Sequence, residues 1–110
     1  MATHTIHIST NDGNFVYNPA AQHASPSDKI RWLSPDGAFT VTFIGGTPFN
    51  VVSISGNKGV ATPPKAFRPG VLPGIYHYAV AVAVVVDPLA LPEGGIRVHV
   101  DAGCPEIVIP

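Results

Sequence analysis

The hydrophobic and polar positions of this chain alternate. In "AFTVTFI" (38–44), Phe39, Val41 and Phe43 fall on one side and Thr40 and Thr42 on the other, the period-two pattern of a half-buried strand. "HTIHIS" (4–9) places Ile6 and Ile8 together, "NFVYN" (14–18) does the same with Phe15 and Tyr17, and "KIRWLS" (29–34) turns Ile30 and Trp32 inward against Lys29 and Arg31. "FNVVSIS" (49–55), "IRVHVD" (96–101) and "EIVI" (106–109) complete the set, with Ile96, Val98 and Val100 expected on the core side. Turn chemistry separates the strands, as in Asn11-Asp12-Gly13-Asn14 and "PDGA" (35–38), where Gly and Asn tolerate positive φ. Residues 19–28, 56–73 and 87–95 read as irregular connections. Twelve prolines and eleven glycines in 110 residues leave little room for a helix. The prediction is one all-β domain over residues 1–110, a Greek-key β-sandwich or small barrel of seven to eight strands.

One stretch departs from this pattern. In "GIYHYAVAVAVVVD" (74–87) only His77 interrupts the apolar and aromatic run from Ile75 to Val86. Even positions, from Tyr76 and Tyr78 through Val80, Val82, Val84 and Val86, are bulky and suit a core. Odd positions, Ile75, His77, Ala79, Ala81, Ala83 and Val85, are mostly small and nearly devoid of polarity, where a half-solvated antiparallel strand carries Thr, Lys or Glu. Two covers fit this second face. The chain's own connection over 56–73 lies across it, or another molecule does, a second copy in a homodimer or a protein partner. The six odd residues are therefore the candidate interface. A membrane is not the cover, because the run stops at Asp87-Pro88, short of the roughly 20 apolar residues a spanning helix needs.

Charge narrows the partners further. Six Lys and Arg against seven Asp and Glu give a formal net charge of −1, with no cationic cluster to hold nucleic acid or anionic lipid. The N-terminal "MATHTIHISTNDG" lacks the basic start and apolar core of a secretory signal, so a cytoplasmic location is expected. With 45% hydrophobic residues the chain can build a core by packing. It has to, since the single cysteine, Cys104, can close no disulfide within the chain.

The order of motifs adds a resemblance. "F-x-Y-N-P" (15–19), "SDKIRW" (27–32), "SPDGAFTVTF" (34–43) and "PGIYHYAV" (73–80) follow one another as in the cupredoxin family of Greek-key β-sandwiches, which this chain resembles over roughly residues 5–86. An immunoglobulin-like sandwich with convergent patterning is the alternative ancestry. The resemblance implies a fold in which a copper ion takes two histidines, a cysteine and usually a methionine. Here Phe39 stands where the first histidine would open its strand, Ala79 and Val80 stand where the cysteine would follow the Tyr-x-Tyr pair, and "VVVDPLALPEGG" contains neither histidine nor methionine. The expectation is a metal-free module without cofactor.

The remaining candidates for chemistry are sparse. Cys104 with His77 and His99 is the one alternative copper set, which would make a small electron-transfer protein. His7 and His99 share an outward register and could hold a metal together if their strands were adjacent. His4 and His7, three apart on a strand, point to opposite faces; His23 sits in a loop. No G-x-S-x-G, H-E-x-x-H or phosphate-cradling glycine loop is present, and Asp28, Asp36, Asp87 and Asp101 sit where bonds to nearby backbone account for them. A non-enzymatic binding or assembly role is expected.

Overall fold

The computed structural model describes residues 2–11, 13–85, 95–103 and 105–110, so Cys104 and the calls made on Val86, Asp87 and most of the loop over 87–95 lie outside the described residues. The described residues form ten strands and no helix: β1 (Thr3–Asn11), β2 (Asn14–Asn18), β3 (Ala21–His23), β4 (Lys29–Leu33), β5 (Ala38–Ile44), β6 (Ser53–Gly56), β7 (Lys65–Ala66), β8 (Gly74–Val85), β9 (Ile96–Asp101) and β10 (Glu106–Ile109). With no helix, none is long and apolar enough to cross a membrane. The first sheet runs β2-β1-β4-β7; the second runs β3-β10-β8-β5-β6, with β9 also paired to β8. The two pack as a sandwich. β1 lies parallel to β4, with Ile6 opposite Trp32, and β3 lies parallel to β10; the other pairs are antiparallel.

The alternating residues explain why the layers close. Ile6, Ile8, Ile30 and Trp32 from the first sheet meet Val41, Tyr78, Val80, Val82 and Ile107 from the second, all essentially inaccessible. Trp32 is the hub, edge-on to Phe43 at 6.3 Å, Phe49 at 5.9 Å and Tyr78 at 5.9 Å between ring centroids. Such edge-to-face pairs each add about 0.5–1.5 kcal/mol beyond the area they bury. Phe49 stacks in turn on Phe67 at 5.2 Å, which anchors the chain immediately after β7.

Ten strands replace the seven or eight expected, for identifiable reasons. Residues 19–28 contain β3, too short for any periodicity, which exists because β10 offers it a parallel partner. The strand expected over 49–55 is confined to Ser53–Gly56, because Phe49 turns into the core against Trp32 and Phe67 instead of alternating in a ladder. The connection over 56–73 does not lie over the second sheet. It runs beside β4, with Gly59 N–H on the Ser34 carbonyl, Thr62 N–H on the Trp32 carbonyl and β7 completing the first sheet.

Two kinds of polar group hold the layers' ends and centre. Asp28 accepts bonds from Ala2 N–H, Ser25 N–H and His4 Nε2, each at 2.9 Å, and so ties the first strand to the turn before β4. His4 is thus engaged with a carboxylate. At the centre, the Tyr78 hydroxyl and Trp32 Nε1 are buried without a hydrogen bond. Burial pushes the Tyr78 phenol up to about 12, eased slightly by the nearby indole.

Both ends of the pH scale test these assignments. The bond from His4 and those from Ser25 and Ala2 hold the Asp28 carboxyl well below the usual carboxylate range. Its contribution is present above the unfolded value near 4 and is lost as pH falls through the folded value. Denaturant titrations should show stability falling on acidification below pH ~4, with a shallower fall in Asp28→Asn; equal slopes would contradict the clamp. Tyr78 carries the opposite sign: its contribution is present below the unfolded value near 10 and is lost as pH rises toward about 12. Tyr78→Phe should therefore unfold less readily than the parent between those values, and an unchanged alkaline transition would contradict the assignment.

Candidate interaction face

The face opposite the core is set by the ladders on either side of β8. β5 lies against one flank, pairing Ala38 with Ala83, Thr40 with Ala81, Thr42 with Ala79 and Ile44 with His77. Because Val80 and Val82 are buried, the odd residues of β8 point outward, as the alternation predicts. Ile75 is 57% exposed and Val85 73%; Ala79, Ala81 and Ala83 are half-buried between larger neighbours. No described element crosses them, so the six candidate residues share one open face. His77 sits at one end, its Nδ1 3.6 Å from the Glu106 carboxylate.

The other flank corrects the sequence reading. β9 pairs antiparallel with β8 so that Val82 faces His99, Val80 faces Asp101 and Val84 faces Arg97. Residues opposite one another in an antiparallel ladder share a face. Arg97, His99 and Asp101 therefore point to the inner side, and Ile96, Val98 and Val100 point outward, at 67, 59 and 68% exposure. The expected inward placement of those three is reversed. Alternation shows which residues travel together; only the partner strand decides which side they take.

The inner side of β9 is polar because it meets the β1–β2 hairpin and not the aromatic core. The Tyr17 hydroxyl donates to Asp101 Oδ2 at 2.6 Å, and Gly103 N–H donates to Oδ1 at 2.8 Å. Burial, and after it the bond to Asp101, raises the Tyr17 phenol far above its ordinary value. Gly13, at positive φ in the hairpin turn, leaves room for the His99 ring, since a Cβ there would lie 3.1 Å from Nδ1.

On the outer side, successive rows across the second sheet read Ser55-Thr40-Ala81-Val100 and Ser53-Thr42-Ala79. The serine and threonine hydroxyls satisfy one another at 2.9 and 3.2 Å. Ala38, Ala81 and Ala83 form the floor of a shallow, open concavity of about 390 Å³, walled by Thr40, Ser55 and Asn57 on one side and Val98 on the other. These rows carry no charge. Sequence reasoning missed Val98 and Val100 as part of this face, because the aliphatic row of β9 opposite Arg, His and Asp reads as core by composition and only its pairing with β8 turns it outward.

The histidines do not converge on a metal. β1 and β9 belong to different sheets, so the adjacency that His7 and His99 required is absent. His77 is on the outer face and His99 on the inner one. His23, placed by sequence in a loop, ends β3. Among the described residues no group of three or more His, Cys, Asp or Glu is positioned to hold an ion. Asp36 accepts the Thr10 N–H at 2.9 Å, a backbone clamp like those of Asp28 and Asp101. Comparison with family models and with curated proteins yields no match.

The Tyr17–Asp101 bond ties β9 to the β1–β2 hairpin, and its removal is measurable. Tyr17→Phe should cost about 1.5–3 kcal/mol in equilibrium unfolding, the usual range for a hydrogen bond to a charged acceptor. A change within error would show that Asp101 does not hold β9 to the hairpin.

Proposed function

We propose that this protein is a non-catalytic binding or assembly module, a cupredoxin-like Greek-key sandwich without the metal, whose contact surface is the outer face of β8 and β9. One observation carries the reading: Val85, Ile96, Val98 and Val100 stand 59–73% exposed beside the alanine floor. They line the face as one continuous aliphatic strip, and the largest exposed apolar patch on a protein often marks an interaction site. The neighbouring hydroxyls already satisfy one another, so covering this face leaves few polar groups unpaired.

The kinship rests on the motif order and where it falls. Trp32 on β4, Phe39 on β5 and Tyr76 and Tyr78 on β8 occupy three strands of one sandwich, in the order of the motifs. Of the residues at the positions where the resemblance would place copper ligands, Phe39 and Val80 are 3% and 1% exposed and packed in the core, while Ala79 faces outward. The three described aspartates outside this face each accept backbone N–H bonds, with the Tyr17 hydroxyl added at Asp101 and the His4 ring at Asp28, which favours a structural role for them over general acid or base chemistry.

Light scattering behind size-exclusion chromatography tests the reading across a wide concentration range. The parent should show a mass above the monomer at high concentration, and Ala81→Lys, which places an ammonium group on the floor, should weaken that association about tenfold or more. A strict monomer at every concentration, indifferent to Ala81→Lys, would contradict it.

A further inference from the structure

We infer that the partner is a second copy of the chain, joined edge to edge through β9 about a twofold axis at His99, so that the outer valines of β9, at the margin of this face, meet across the seam. The inference rests on reading the outer face of β8 and β9 as a contact surface and adds the partner and its register. β9 pairs with β8 along one side only. β10 follows it along the same flank of β8 and has its own outer edge covered by β3, whereas β9 has no such cover among the described residues. An open strand edge presents unpaired backbone donors and acceptors and is answered by another strand.

The sequence of β9 specifies which strand. Read outward from His99, "RVHVD" places Arg97 and Asp101 two residues to either side, with Val98 and Val100 between. Antiparallel pairing of two copies centred on His99 sets Arg97 of each against Asp101 of the other, and Val98 of each against Val100 of the other. A twofold axis normal to the sheet keeps inner residues inner, so the charges meet on one face and the valines on the opposite one. A shift of two residues either way keeps the faces but loses both charge pairs, so one register is preferred.

The charges also select the partner. Inward-pointing charge is a common guard on an edge strand, because a foreign strand would bury it unpaired. Here the guard carries both signs in a symmetric arrangement and is neutralised only by its own copy. Arg97 is exposed and meets no carboxylate among the described residues. Asp101 accepts one bond at each oxygen, from Tyr17 and Gly103, which leaves each a lone pair for a guanidinium.

Sedimentation equilibrium on charge variants, with a crosslinking control, tests this. Arg97→Asp should weaken self-association at least about tenfold, because it sets like charges opposite twice. Asp101→Arg should do the same, and an equimolar mixture of the two variants should form a heterodimer. Since Asp101→Arg also removes the Tyr17 bond, His99→Cys in a Cys104→Ser background gives an independent readout. Its two thiols would meet at the axis, where opposite Cα atoms about 4.5–5.5 Å apart allow a disulfide, while His77→Cys in the same background should remain without a crosslink under mild oxidation. A dimer that responds to Ala81→Lys but not to Arg97→Asp, with no crosslink at 99, overturns edge pairing and leaves the contact-face reading standing. A strict monomer overturns both.

Discussion

The seven-residue ladder between β5 and β8 is the constraint on which the rest of the molecule depends. It places Val41 opposite Val80 and Phe39 opposite Val82, so the bulky row of β8 is committed to the space beneath Trp32. Once that row is inside, the alanine row has no choice but to face out. A one-residue slip would put alanines against the aromatic hub and valines into water, and the lost packing around Trp32 makes that register unfavourable.

β8 passes the same constraint to β9. With Val82 fixed inward, its partner His99 is inward too, and every other residue of β9 follows. The result is a strand of inverted polarity: its charged and imidazole side chains lie toward the β1–β2 hairpin and its aliphatic ones toward solvent. The inversion is tolerable because β9 has left the aromatic core. There the inner side offers the Tyr17 hydroxyl and the open space at Gly13 in place of hydrocarbon. Under the proposed function, this local inversion changes a half-polar sandwich face into a contact surface.

Much of the fold was legible because it depends on local alternation. Phe39, Val41 and Phe43, like Ile30 and Trp32, are buried where period two places them, and the odd residues of β8 are outward as predicted. What was not legible depends on partners distant in sequence. β3 is a strand only because β10 lies beside it, Phe49 leaves its expected ladder because Trp32 and Phe67 accept its ring, and the 56–73 connection joins the first sheet through bonds to β4. The candidate face was half visible for the same reason. Its alanine floor could be read from β8 alone, whereas its valine wall required knowing that Ala83 pairs with Val98.

The side taken by β9 is the point at which this account is most exposed, and side-chain nuclear Overhauser contacts read it directly. The account predicts cross-strand contacts between the Val98 methyls and Ala83 and between the His99 ring and Val82, with Val98 and Val100 distant from Trp32 and Phe39. Contacts from the Val98 or Val100 methyls to the Trp32 or Phe39 rings would contradict it, because they would return the aliphatic row to the core and leave the outer face without its wall.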